Sequence, residues 1–150
     1  MSKNTGASKF RKVNVDDYDE NNFQDDQLFD DQVAGPDEGE IQRLLNSKKN
    51  TEALHLALKN PPVMSKNPGV KAKAFSVVMR VLTNFKSSEV ENAVNSLDPE
   101  SIDVLMKYIY RSFAEPSEGT AGIMLTWHEK VYAVGGVGCI MRVLTDRKGV

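Results

Sequence analysis

Ser96–Phe113, SLDPESIDVLMKYIYRSF, is the stretch whose reading decides the fold. Asp98 is a residue type whose carboxylate accepts hydrogen bonds from the free N–H groups that start a helix. Pro99 follows where a missing N–H costs nothing, and its fixed φ suits the first turn. Ile102, Leu105, Met106, Ile109 and Phe113 then recur at three- and four-residue steps and share one stripe, while Asp103, Lys107 and Arg111 fall on the other side. A helix this long is marginal by itself in water, and each apolar side chain contributes roughly 1.5–3 kcal/mol only when buried. The stretch therefore demands partner helices.

The flanking sequence supplies them. Asp37-Glu38-Gly39-Glu40 has capping-box spacing ahead of Ile41, Leu44 and Leu45, which predicts a first helix to about Ser47. Asn50 or Thr51 is expected to cap a second, with Ala53, Leu54, Ala57 and Leu58 inward, before Asn60-Pro61-Pro62 forbids continuation. Pro68 suits the first turn of a third, carrying Val70, Ala74, Val77, Val78, Val81, Leu82 and Phe85; its β-branched content hints at strand, but length and spacing favour helix. Ser88-Glu89-Val90-Glu91 predicts a short fourth helix with Val90, Val94 and Leu97 on its face. After the fifth, Ser117 is expected to cap a sixth lined by Ile123, Met124, Trp127, Val131 and Val134 and stopped at Gly135-Gly136. Val137, Ile140, Met141, Val143 and Leu144 make a seventh. Short connections imply antiparallel neighbours, so the expected fold is all-α, an α-α superhelix or right-angled stack of about seven helices.

A chain of 150 residues with 40% hydrophobic content suits one domain, placed at 37–150, with a core that needs no staples. The single cysteine, Cys139, excludes an internal disulfide and suits a reducing compartment; in its apolar run it reads as a buried thiol. No apolar run approaches the roughly 18 residues of a membrane span, and the polar start lacks a signal-peptide centre, so a cytoplasmic protein is expected. Charge divides the chain: residues 1–40 hold eleven Asp/Glu against four Lys/Arg, and residues 41–150 hold ten against fifteen. The basic excess is scattered singly over helices, so no nucleic-acid partner is expected.

Residues 1–36 lack a helical period, are rich in Asp, Asn, Gln and Ser, and end at Ala34-Gly35-Pro36, which predicts an extended, largely disordered arm. Phe10, Val13, Val15, Tyr18 and Phe23 are spaced through its acidic background, as in a segment that lies along a partner and drops side chains into pockets. Fully stretched, such an arm reaches on the order of 100 Å at about 3.3–3.6 Å per residue. A plain entropic tail is the alternative.

Candidate chemistry fails residue by residue. His128-Glu129 would need a second histidine at position 132, which is Tyr. His55 lies on another helix, and with one cysteine in the chain no metal cluster is expected. Gly135-Gly136-Val137-Gly138 has neither a preceding strand nor a following Gly-Lys-Ser/Thr, and reads as a helix end. No catalytic, cofactor-binding or metal site is predicted. Tyr108 and Tyr110 straddle Ile109 and cannot both face one interior, so at least one is expected to meet solvent or a partner. With Phe10, Val13, Val15, Tyr18 and Phe23 they are the candidate partner-binding residues.

FRKVNVDDYDENNF, AGPDEGE, ALKNPP, VLTNFKSSEVENAVNSLD, LMKYIYRSF and WHEKVYAVGGVGCIMRVLTDRKGV, in this order across nearly the whole chain, resemble the smallest, sixteen-kilodalton subunit family of the actin-nucleating Arp2/3 complex. Departures from the family pattern are local: Cys139 where members often carry Ser, Asp146 where they carry Ala, and the spacer 24–33. The resemblance implies a non-enzymatic subunit whose α-α superhelical domain docks on the propeller-shaped subunit and the twenty-kilodalton scaffold subunit, while its arm reaches the actin-related subunit Arp2. An anchored domain makes arm binding intramolecular, so weak contacts suffice. A free-standing helical adaptor with an acidic recruiting arm is the competing reading.

Overall fold

Six α-helices account for the regular structure of residues 35–150, the part of the chain that the computed structural model describes: α1 Glu38–Asn46, α2 Asn50–Lys59, α3 Pro68–Thr83, α4 Ser87–Asn95, α5 Pro99–Ala114 and α6 Ala121–Thr145. No strand occurs among the described residues, and the all-α expectation holds. Phe10, Val13, Val15, Tyr18 and Phe23 lie outside the described residues.

Several helix starts are those read from the sequence. Asp37 Oδ1 accepts from Gly39 N at 2.9 Å and Glu40 N at 3.2 Å, capping α1, and Asn67 Oδ1 accepts from Gly69 N at 2.9 Å beside Pro68 in α3. Others shift because the expected cap is used elsewhere. Asn50 is already helical, with Lys49 at the cap position, and its amide donates to Asn84 O at the end of α3. α4 begins at Ser87, not Ser88, because Lys86 N finds Glu89 Oε2 at 3.3 Å. At α5, Pro99 occupies the first turn as expected, but the Asp98 carboxylate accepts from Ser101 Oγ at 2.6 Å instead of from backbone N–H. That hydroxyl holds the Asp98 carboxyl below the usual carboxylate range. α6 is preceded by a turn in which Thr120 N donates to Ser117 O, so Thr120, not Ser117, takes the cap position.

The expected sixth and seventh helices form one element broken in the middle. Within α6, Gly136 adopts φ +66°, ψ −169°, a region essentially closed to residues with a Cβ. Its neighbour Gly135 serves contact: a Cβ there would stand 2.9 Å from both Ile102 Cγ2 of α5 and Cys139 Sγ. The Gly-Gly pair thus bends α6 and lets it approach α5. Because a Cβ at Gly136 would meet nothing within 4 Å, Gly136→Ala tests the backbone alone. We expect it to lower stability by about 1–3 kcal/mol in urea titration, whereas Gly122→Ala, at an equally open helical position, lowers nothing.

The helices close on one core. α5 and α6 make the most extensive pair, α2 packs on α1, α3 and α5, and α4 packs on α6. Leu54, Val78, Val81, Leu82, Leu105, Met106, Ile109 and Val131 are wholly buried. Trp127 locks the centre: its Nε1 donates to Leu82 O at 3.2 Å, and its ring meets Phe85 edge-on at 5.2 Å. Two residues read as core are not. Phe113 is 38% exposed, in ring contact with His128 at the surface, and Val134, 50% exposed, sits on the outer side of α6.

Candidate interaction surface on α6

The half of α6 that follows Gly136 is apolar on two sides. Inward, Cys139 is buried and Ile140 and Val143 are half-buried. Outward, Val137, Met141 and Leu144, spaced i, i+4, i+7, are 58%, 52% and 67% exposed. One face of a helix buries in its own core, and a helix apolar all round is normally buried in something more. Before the kink, Val134, Tyr132 and Leu125 continue exposed apolar surface along the same helix. A single exposed Leu means little, but a run of six large side chains on one element is the mark of a contact surface.

Next to this run stands a surface aromatic group built by α5 and α6. Tyr110 meets Phe113 edge-on at 5.9 Å, His128 lies 5.6 Å from Tyr110 and 6.0 Å from Phe113, and Tyr132 stacks parallel to His128. His128 Nε2 is 3.4 Å from the Tyr110 hydroxyl. Ion pairs flank the whole: Arg142 grips Asp103 with two bonds of 2.6 and 2.7 Å, and Lys130 reaches Glu91 at 3.2 Å. Apolar and aromatic residues at the centre with charges at the rim is the usual anatomy of a protein interface.

The sequence-derived candidates separate here. Tyr108 is 0% exposed and belongs to the core, not to the surface. Burial pushes its hydroxyl up to about 12, with Arg111 pulling the other way. Tyr110 is half-buried within the aromatic group. Of the pair straddling Ile109, Tyr110 is therefore the one near solvent. The sequence places Val137, Ile140, Met141, Val143 and Leu144 on one last helix without dividing them between its faces, and the structure turns Val137, Met141 and Leu144 outward. A signal for this existed: Val134, Val137, Ile140, Met141, Val143 and Leu144 are too dense for one helical face.

The thiol of Cys139 donates to Gly136 O at 3.0 Å, and burial pushes its pKa up, which disfavours the nucleophilic thiolate. Among the described residues no group of three or more His, Cys, Asp or Glu could hold a metal ion, and no helix is long and apolar enough to cross a membrane. The arrangement offers contact area.

Comparison with known proteins takes in the whole chain. A family model described as the ARP2/3 complex 16 kDa subunit (p16-Arc) matches residues 9–150. The chain is 51% identical to actin-related protein 2/3 complex subunit 5-B of Xenopus laevis and 52% identical to the subunit 5-like protein of Bos taurus, over 100% of each chain. It is 34% identical to subunit 5 of Dictyostelium discoideum, across 86% of this chain and 99% of that one. The resemblance read from the ordered motifs is the one these matches report, and the chain belongs to the p16-Arc family, the 16 kDa subunit family of the ARP2/3 complex.

Proposed function

We propose that this chain is a non-catalytic structural subunit of the Arp2/3 complex that works in the cytoplasmic actin cytoskeleton and supports nucleation of branched filaments. Its helical domain, 37–150, is the anchor, and the outward stripe of α6 is its docking face. The partners of that domain are the propeller-shaped subunit and the twenty-kilodalton scaffold subunit. Residues 1–36 form the tether, with Phe10, Val13, Val15, Tyr18 and Phe23 as its contacts to the actin-related subunit Arp2. The observation that carries the reading is an exposed apolar stripe on a helix whose opposite side already fills a core, in a chain of this family. The acidic balance of the arm favours a basic partner surface, and an anchored domain raises the effective concentration of the arm there.

Stoichiometric recovery of the full chain with two actin-like subunits, and loss of branch formation when it is omitted, is the expected result. A stable monomer in cell extract without those subunits would reject the assignment. Within the assembled complex, Phe10→Ala, Tyr18→Ala and Phe23→Ala together should leave the melting of the helical domain unchanged. The same variant should speed proteolysis of residues 1–36 by about tenfold or more, the scale of losing one or more anchor contacts. Arm cleavage at the wild-type rate would remove the tether from the proposal.

A further inference from the structure

After α6 the chain turns back across the fold instead of leaving it. Asp146 Oδ1 accepts from Lys148 N at 3.0 Å, which makes the turn, and its other oxygen pairs with Lys107 of α5. Lys71 of α3 donates to Gly149 O at 2.8 Å. Arg111 of α5 donates to Val150 O at 3.0 Å and to Lys71 O at 3.1 Å, while its guanidinium lies 4.6 Å over the Phe75 ring. Val150 is buried. Residues 146–150 thus tie the end of α6 to α3 and α5 at once.

The half-helix they hold is otherwise attached along one face, through buried Cys139, half-buried Ile140 and Val143, and the Arg142–Asp103 pair. Of residues 137–145 only Cys139 is buried, and the link to the first half is Gly136, whose positive φ breaks the helix there. That inward face and the Arg142–Asp103 pair hold the half-helix against α5, and residues 146–150 fix its far end. Beneath the returning segment a groove of about 440 Å³ remains, bordered by Lys71, Lys107, Arg111 and Val143. The hold is therefore made chiefly of cation-to-oxygen contacts and one buried side chain, not of close packing, and segments held so are first to open locally.

We propose that residues 146–150 are a clasp that sets the angle of the second half of α6 about Gly136 and so positions Val137, Met141 and Leu144 for docking. Lys71, Lys107 and Arg111 are positioning residues; they act through the half-helix and need not touch the partner. This rests on the docking reading above, so its test must fail separately from that reading.

Backbone hydrogen exchange of the isolated full chain reads the clasp without any partner. In Lys71→Met/Asp146→Asn, two substitutions at or near the surface, amides of 138–145 should exchange on the order of 10–100-fold faster while those of α1 to α4 keep their rates. In the wild type, exchange over 138–145 should also quicken with added salt, and in the variant it should do so less, since the Lys71 and Asp146 contacts are gone while the Arg111–Val150 and Arg142–Asp103 contacts remain. Assembled with the other subunits, the variant should be recovered several-fold less well, with Leu144→Lys run beside it. Unchanged exchange over 138–145 overturns the clasp whatever the recovery shows. Faster exchange with undiminished recovery, while Leu144→Lys fails to assemble, overturns its positioning role. If Leu144→Lys also assembles normally, the docking face itself falls, and the positioning role falls with it.

Discussion

Trp127→Ala is expected to lower the stability of the chain by about 3–5 kcal/mol, the scale of emptying a fully buried aromatic site. Small domains have only about 5–15 kcal/mol in hand, so the variant should be partly unfolded near body temperature. Three losses coincide at this residue. The largest is the volume left beside Leu82 and Phe85, which a packed core fills poorly. Next is the edge-on contact with Phe85 at 5.2 Å, an arrangement worth about 0.5–1.5 kcal/mol beyond its burial. Last is the bond from Nε1 to Leu82 O, whose net contribution is about 0.5–1.5 kcal/mol. Trp127→Phe retains an aromatic ring but no N–H donor, and should lose roughly half as much. Urea titration of the full-length variants measures both; a loss below about 1 kcal/mol in Trp127→Ala would mean that the site is not the centre of the core.

Val137→Asp, Met141→Asp and Leu144→Lys together should give the opposite pattern, an intact fold with failed assembly. All three side chains stand in solvent in the isolated chain, so stability should stay within about 0.5 kcal/mol of wild type. The cation is placed near the end of α6, where the helix dipole favours it and spacing lets it face the new Asp at 141. Inside an apolar interface the same charges would be stripped of water without prepared partners, and binding should weaken on the order of 100-fold or more. Size-exclusion co-elution with the other subunits, paired with the urea midpoint, gives both readouts. Normal co-elution of a folded variant would mean that this face lies outside the docking surface.

The two variants divide α6 along the same line that divides what could and could not be read from the chain. Met124, Trp127 and Val131 keep three- and four-residue spacing, and their burial follows from period alone. Past Gly136 the apolar residues come too densely for one face, and the pattern no longer says which of them points inward. Choosing Cys139, Ile140 and Val143 over Val137, Met141 and Leu144 took the angle of the kink and the position of α5 behind it. Tyr108 and Tyr110 pose the same problem over one turn: each flanks Ile109, and only the packing around α5 buried the first and left the second near solvent. Cap choice was decided just as locally. Asp37 caps because nothing competes for it, whereas Asn50 is drawn to Asn84 O and Asp98 to Ser101.

By itself, the amino-acid sequence determined that the folded part is helical, where most of its helices begin and end within a residue or two, which residues form the centre of the core, and which family the chain resembles. Those properties rest on period, proline, glycine and motif order, all of which act within a few residues or are read directly as text. Tertiary structure alone decided that the second half of α6 carries a spare apolar face, that Tyr108 is core, and that residues 146–150 return to grip α3 and α5. Each of these depends on side chains far apart in the chain, such as Lys107 with Asp146 and Lys71 with Gly149. Short-range periodicity carries no term for such encounters; only the assembled helices bring their groups within hydrogen-bonding distance.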